Sequence, residues 1–373
     1  MGVRLLHTAD WQLGKAFNNF GPDAGARLRQ ARIEAVRRIA AIATERQVDA
    51  VLVAGDVFDQ QIASIEVITG CLGAMGDFPG DWVLLPGNHD AAEEASVWER
   101  VRLRLPEGRQ IHLATDANPV VLADGRLAVL PAPLLRRHES SDLTACWDNS
   151  PTPPGAYRVG LAHGSVQGIL PEAAEKHNPI AADRAGAAQL DYLALGDWHG
   201  TLEAGDRAWY SGTPEPDGFK ENDSGNVLLI EIDRPGAAPR VEPIPTGQYR
   251  WLAWERRITS GGDIEQLNRE LEAQRPTQLR VVRLRLDGTL ALPDAQILRE
   301  RLDWWRGQFA VLRTEEEKIQ VSTGDTDFAA LQPPGFVAKA VADLQSRDKA
   351  GEPGAAEALT ILYQLCVEAG AGA

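Results

Sequence analysis

Two rhythms of hydrophobic positions alternate along the chain. Val3-Arg4-Leu5-Leu6-His7 is a short strand-like run, and Ala50-Val51-Leu52-Val53-Ala54 is apolar throughout, as in a strand of a sheet covered on both faces. Between them Leu28, Ala31, Ala35, Ile39 and Ile42 recur at helical spacing, with Arg and Glu interspersed, which predicts a long helix over 23–47. A helix over 62–76, a strand over 82–85 and a helix over 93–104 continue the alternation, the signature of an α/β layered sheet. Short strands at 111–113, 120–122 and 127–130 follow, then a Pro-rich loop at 151–154, a strand at 157–162, a helix at 181–189 and a strand at 192–195. Strands at 208–210, 226–232 and 240–244 close this part. The expected fold is a two-sheet β-sandwich flanked by helices.

Pro243-Ile244-Pro245-Thr246-Gly247 predicts a domain boundary. Beyond it, strands at 250–258, 278–286 and 310–313 alternate with helices at 264–274 and 293–307. Two amphipathic helices, 336–347 and 355–369, end the chain. The expected division is a first domain over 1–247, a smaller α+β domain over 248–325 and a C-terminal helical segment over 331–373.

Composition narrows the class. Hydrophobic residues at 44% and charged residues at 24% are those of an ordinary globular protein. No apolar run approaches the ~20 residues that span a bilayer, so no membrane association is expected. The N-terminus lacks the apolar stretch of a secretory signal. Cys71, Cys146 and Cys366 form no C-x-x-C pair; each reads as a small apolar filler, which fits a reducing cytoplasm. A net charge of −15 argues against a protein that coats nucleic acid non-specifically, because phosphate contacts need Lys and Arg. It leaves open an enzyme whose metals neutralise its carboxylates. Residues 250–320 hold 13 Lys+Arg against 12 Asp+Glu, so the acidic surplus lies elsewhere.

The chemistry gathers where predicted strands end. Five strands run into polar clusters: His7-Thr8-Ala9-Asp10-Trp11-Gln12, Gly55-Asp56-Val57-Phe58-Asp59, Gly87-Asn88-His89-Asp90, Ala162-His163-Gly164 and Gly196-Asp197-Trp198-His199-Gly200. Ligands sit at strand carboxyl ends in open α/β sheets. A mixture of carboxylate, amide and imidazole suits divalent metals, and a metal pair ~3.5–4 Å apart clamps a phosphoryl group and activates water. Asp56, central in the order and preceded by glycine, is the best candidate to bridge two metals. A lone Gly-Asp is most often a surface turn; five such clusters in one chain are not explained that way.

The series Asp10-x-Gln12, Gly55-Asp56, Gly87-Asn88-His89-Asp90, His163 and Asp197-x-His199 resembles the calcineurin-like metallophosphoesterase superfamily. His7-Thr8-Ala9-Asp10-Trp11, Ala54-Gly55-Asp56-Val57-Phe58-Asp59 and Tyr210-Ser211-Gly212-Thr213-Pro214 resemble the SbcD-like DNA repair exonucleases, including their YhaO-like branch. The resemblance covers about residues 1–245. It implies one metal held by Asp10, Asp56 and His199, and a second by Asp56, Asn88, His163 and Asp197. His89 would assist the phosphoryl transfer, with Asp90 holding its ring. The domain over 248–325 would cap the site and select the substrate, the terminal helices would bind an SMC-like (SbcC-type) ATPase, and the first domain would form a homodimer. The family usually has His at the positions of Gln12 and Asp197. An amide oxygen and a carboxylate there favour Mn²⁺, or Mg²⁺, over Zn²⁺.

Other residues carry less. Trp11 and Trp198 flank ligand positions, either walling the site or stacking on a base. Trp251, Trp254, Trp304 and Trp305 read as core or domain-interface residues, with DNA stacking as the alternative. Arg283 and Arg285 share a strand face and Arg280 does not. His7 and His112 read as structural, and His138 and His177 as single surface histidines. The expected function is a metal-dependent nuclease acting on DNA, in repair or end processing. The alternatives are a phosphodiesterase on a small nucleotide and a degenerate site serving as scaffold for an ATPase.

Overall fold

The computed structural model describes residues 2–170, 177–322, 328 and 334–371. The chain divides into two compact units, Met1–Tyr249 and Arg250–Ala373. The expected boundaries at 325 and 331 lie outside the described residues.

In the first unit, β1 (Val3–Thr8), α1 (Pro22–Glu45), β2 (Ala50–Val53), α2 (Ile65–Met75), β3 (Asp81–Leu84), α3 (Val97–Arg102) and β4 (Ile111–Leu113) alternate. Next come β5 (Val120–Leu122), β6 (Leu127–Ala132), β7 (Tyr157–His163), β8 (Ser165–Val166), β9 (Pro179–Ile180), α4 (Arg184–Ala187), β10 (Tyr192–Gly196), β11 (Leu202–Gly205), β12 (Ala208–Tyr210), β13 (Asn226–Ile232) and β14 (Arg240–Pro245). They form two six-stranded sheets, ordered β14-β13-β1-β2-β3-β4 and β11-β12-β10-β7-β6-β5. In the first sheet β1 to β4 run parallel, in the second β6, β7, β10 and β12.

Adjacent side chains on a strand face opposite ways, and the core follows that rule. Leu5, Leu52 and Val83 point between the sheets and meet Val129, Val159 and Leu161. Leu6, Val51, Val53 and Leu84 point outward and are covered by Val36 and Ile39 of α1 and Ile68 and Leu72 of α2. This is why β2 reads as uniformly apolar: both of its faces are buried. The outer face of the second sheet, Leu130, Leu193 and Leu195, packs against Trp147.

The second unit contains β15 (Arg250–Arg257), α5 (Gly261–Glu272), β16 (Arg280–Ala291), α6 (Leu292–Arg306), β17 (Val311–Ser322), α7 (Gly335–Lys349) and α8 (Ala355–Ala371). Its three strands are parallel in the order β15-β16-β17. Val282, Leu284 and Leu286 pack against Ile264 and Leu271 of α5 and Leu298 and Leu302 of α6. Val341 of α7 and Leu359 and Tyr363 of α8 bury with Leu292 and Phe328. Among the described residues no helix is long and apolar enough to cross a membrane.

Several elements differ from expectation: β8, β9 and β11 are additional, and β16 continues to Ala291. The helix expected at 181–189 is the four-residue α4, because Gln189 turns to a φ of 52° and ends it. The helix expected at 93–104 begins only at Val97. The strand expected at 310–313 runs on to Ser322 through Glu315-Glu316-Glu317, a charged run that suggests a loop. Two of those charges are paired: Glu315 with Arg285 at 2.8 Å and Glu316 with Arg306 at 2.8 Å.

Candidate metal centre

The loops after β1, β2 and β3 of one sheet and after β7 and β10 of the other meet at one edge of the sandwich. Backbone hydrogen bonds continue the β1–β2 ladder into these loops: Asp10 N–H donates to Gly55 O at 3.1 Å and Gln12 N–H to Asp56 O at 2.8 Å. Asp10, Gln12, Asp56 and Asp197 all take positive φ, at 54°, 41°, 54° and 100°. Such backbone persists only where its surroundings over-determine it, and it clusters at functional sites. Gly87 is required by close approach: a Cβ there would lie 2.2 Å from Asp56 Oδ1.

Ligand atoms of Asp10, Asp56 and His163, all buried, lie within 4.8 Å of one another. His163 Nε2 is 3.6 Å from Asp56 Oδ1, 3.8 Å from Asp197 Oδ1 and 3.0 Å from Asn88 Oδ1. Its Nδ1 lies 2.8 Å from Ala54 O, an acceptor that fixes the ring proton on Nδ1 and leaves Nε2 free to coordinate. Asp197 N–H donates to both oxygens of Asp10, at 3.2 and 3.3 Å, and Ser165 Oγ donates to Asp197 Oδ2 at 3.1 Å. His199 completes the ring of groups, with Nε2 3.2 Å from Gln12 Nε2.

The electrostatics call for a cation. Burial, reinforced by Asp56 and Asp197, raises Asp10 to about 6 against the pull of His199 and His163. Burial lowers the His163 pKa, but Asp56, Asp10 and Asp197 outweigh it and raise the group to about 9. Three crowded carboxylates with an imidazole and an amide oxygen are the donor set of a hard-to-borderline divalent ion, so the residues fit the metals that the sequence implies.

Some expected residues sit elsewhere. The resemblance implies that Asp90 orients the His89 ring, and the structure gives both residues other partners. The Asp90 carboxylate is buried and accepts from Gly87 N–H at 2.7 Å and Phe58 N–H at 3.0 Å, while His89 Nδ1 lies 2.8 Å from Asp59 O. Trp11 does not face a substrate: it is 1% exposed, donates to Thr8 Oγ1 and packs edge-on against Trp82 in the core. Trp198 is half-buried and lines the cavity of about 380 Å³ with Gln12, Asp56, Asn88, His89 and His199. Gln12 points its amide nitrogen, not its oxygen, toward Asp56 and His199.

His7 is structural, held by Tyr192 OH and Leu195 O, and His112 pairs with Asp81 at 2.7 Å. The rings of His138 and His177, single histidines by sequence, lie 4.4 Å apart. Arg285 is neutralised between Glu255 at 3.0 Å and Glu315 at 2.8 Å. Trp305 is buried and donates to Asn268 Oδ1, Trp304 is 52% exposed, and Arg256 stacks over Trp254. Cys71 is buried, but Cys146 is exposed and so is no filler.

Sequence reasoning missed Arg32, Lys15 and Asp217. Arg32 is buried and donates to the carbonyls of Trp11, Asp10 and Glu215 and to Thr213 Oγ1, locking the first loop to the last. An Arg inside an amphipathic helix carries no sign of this. Lys15 and Asp217 form an ion pair beside Gln12, and Asp217 sits in a Pro-Glu-Pro-Asp-Gly turn that reads as an ordinary loop.

Comparison with known proteins gives the family. The calcineurin-like phosphoesterase pattern matches residues 3–165. The chain belongs to the calcineurin-like phosphoesterases, metal-dependent phosphoester hydrolases, and within them to the SbcD family, the D subunits of SbcCD nucleases. It is 30% identical over 294 residues to the D subunit of the nuclease SbcCD from Rhodobacter capsulatus, covering 65% of this chain and 69% of that one. The corresponding D subunit from Bacillus subtilis is 25% identical over 268 residues, covering 63% and 67%. The crystal structure of TT1561 of Thermus thermophilus, 15% identical with a TM-score of 0.38, covers 66% of this chain and all of that one.

Proposed function

We propose that this protein hydrolyses phosphodiester bonds of DNA at a two-metal centre, in DNA repair or end processing. The observation that carries the reading is the convergence of Asp10, Asp56, Asn88, His163, Asp197 and His199 around one centre, with Asp56, Asn88, Asp197 and His199 lining the cavity. Asp10, Asp56 and His199 would hold one divalent ion, and Asp56, Asn88, His163 and Asp197 the other. Bound there, the ions supply Lewis-acid activation of the phosphoryl group and of water. Mn²⁺ suits the oxygen-rich donors best, with Mg²⁺ next.

The chain's own residues do the rest. Asp56, whose Oδ1 accepts from His89 N–H at 2.9 Å, is fixed between the two half-sites. His89 Nδ1–H donates to Asp59 O, which turns Nε2 toward the cavity, 4.0 Å from Asp56 Oδ2. In the imidazolium form the second proton sits on Nε2, in place for the leaving oxygen, a role that contributes typically ~10²–10⁴-fold. Trp198 walls the cavity, and the second unit selects the form of DNA. The α7–α8 segment docks an SMC-like (SbcC-type) ATPase, the first unit pairs with a second copy, and the protein works in the cytoplasm.

The test incubates the chain and Mn²⁺ with labelled linear DNA, beside bis-p-nitrophenyl phosphate. Cleavage of both is expected, with Asp56→Ala inactive and His89→Ala slower by at least ~10²-fold. Cleavage of the chromogenic diester alone would move the assignment to a small nucleotide. Cleavage of neither, with metal bound, would leave a scaffold for an ATPase.

A further inference from the structure

We propose that Gln12 faces the reacting phosphoryl group as a hydrogen-bond donor rather than as a metal ligand, set in that orientation by Lys15, while Asp217 positions His199 beside it. The inference rests on the metallophosphoesterase reading above and assigns three of its residues. The orientation of the amide follows from its partners. Lys15 Nζ lies 2.9 Å from one amide atom of Gln12. An ammonium only donates, so that atom is the carbonyl oxygen. The amide nitrogen then lies 3.2 Å from His199 Nε2 and 3.5 Å from Asp56 Oδ2, both of which accept. Turned over, the amide would set its N–H groups against an ammonium and its oxygen against a carboxylate, two repulsive contacts in a residue only 2% exposed.

Lys15 is itself held. Its ammonium pairs with Asp217 Oδ2 at 2.5 Å, and Arg32 Nη1 approaches the same oxygen at 3.9 Å. His199 Nδ1 lies 3.6 Å from that oxygen. A carboxylate on the Nδ1 side keeps the imidazole proton there and leaves the Nε2 lone pair toward the centre. The backbone completes the arrangement: Gln12 N–H donates to Asp56 O at 2.8 Å, and Lys15 N–H donates to Gln12 O at 3.2 Å. The half-site on this side therefore draws its protein ligands from Asp10, Asp56 and His199. An ion bound by His199 and Asp56 would take up the lone pairs that accept from Gln12 here, and the two N–H groups would then be released to a phosphoryl oxygen as its charge grows, where one fixed donor is worth up to ~10²–10³-fold.

Mn²⁺ affinity by calorimetry and diester hydrolysis at saturating Mn²⁺ test this on the full chain. Gln12→Ala is expected to bind Mn²⁺ within about twofold of the unaltered protein while kcat falls by ~10-fold or more. Lys15→Met should lose kcat similarly, and the double variant should lose no more than Gln12→Ala alone. Asp217→Asn should weaken Mn²⁺ by about tenfold, as loss of an orienting partner does. A tenfold or greater loss of Mn²⁺ affinity in Gln12→Ala would make Gln12 a ligand and overturn the proposal. Multiplying losses in the double variant would break the link to Lys15, and undiminished affinity in Asp217→Asn would remove Asp217. If the unaltered protein binds Mn²⁺ but cleaves no diester, the functional reading fails, and the affinities still decide whether Gln12 is a ligand.

Discussion

His7 shows how one residue at the edge of the centre is tied to pH. It is fully buried between Tyr192 OH and Leu195 O, and burial lowers it to about 3 from an ordinary value of 6.5. The unfolded chain takes up a proton near 6.5 that the folded chain refuses until about 3. Stability contributed by neutral His7 is therefore complete above 6.5 and falls as the pH drops toward 3, with a limiting slope of about 1.4 kcal/mol per pH unit. Urea unfolding of wild type and His7→Gln between pH 4 and 7.5 should show a shallower acid limb for the variant. Parallel limbs would mean that His7 is not the group responsible. The position of His7 on the first strand, near the site, marked it as structural support; its two partners, 185 and 188 residues away, did not show in the sequence.

At the scale of elements, the loops after β2 and β3 behave as one piece because Asp90 joins them. Its carboxylate accepts from Gly87 N–H on its own loop and Phe58 N–H on the other. Burial, then repulsion from Asp56, raises the group to about 7, so holding this loop carries an electrostatic cost. Asp90→Ala would leave two buried N–H groups unmatched and is expected to lose roughly 1–3 kcal/mol per unsatisfied group. Asp90→Asn keeps an acceptor and should lose less. Denaturant unfolding of both variants, with Mn²⁺ affinity measured alongside, checks this; equal stability of Asp90→Ala and wild type would show that the clasp is idle. The Gly-Asn-His-Asp sequence made the turn legible. It could not distinguish an Asp that orients a neighbouring ring from one that fastens another loop, because the choice depends on where β2 lies in space.

Over the whole molecule, the centre draws five loops from two sheets, so occupancy should be felt as global stability. Asp10, Asp56 and Asp197 are crowded together, and a cation between them relieves their repulsion. Free Mn²⁺ at 100 times its Kd should stabilise the fold by about 2.7 kcal/mol, seen as a rise in Tm that a chelator reverses. Asp56→Ala should abolish the rise, and a full rise in that variant would place the ion elsewhere. The α7–α8 helices bury Val341, Leu359 and Tyr363 in the second unit and leave Phe336 and Leu365 exposed at 80% and 55%. Amphipathic spacing predicted both helices and did not say what their apolar faces cover.

Most of the strands of the first unit, and the residue types at the ends that form the centre, are legible from local sequence. Hydrophobic periodicity is a local property, and strand ends followed by Gly, Asp, Asn and His mark where polar groups are offered. Which atoms meet depends on how distant segments pack in space. That packing placed Trp11 in the core, gave Asp90 to the backbone of a neighbouring loop and brought Asp217 to Lys15 across 202 residues. The direction of a buried polar side chain is set by the donors and acceptors around it, and those come from segments distant along the chain. Gln12 is the clearest case: the sequence placed an amide at the centre, and the partner on its far side chose the end that faces in.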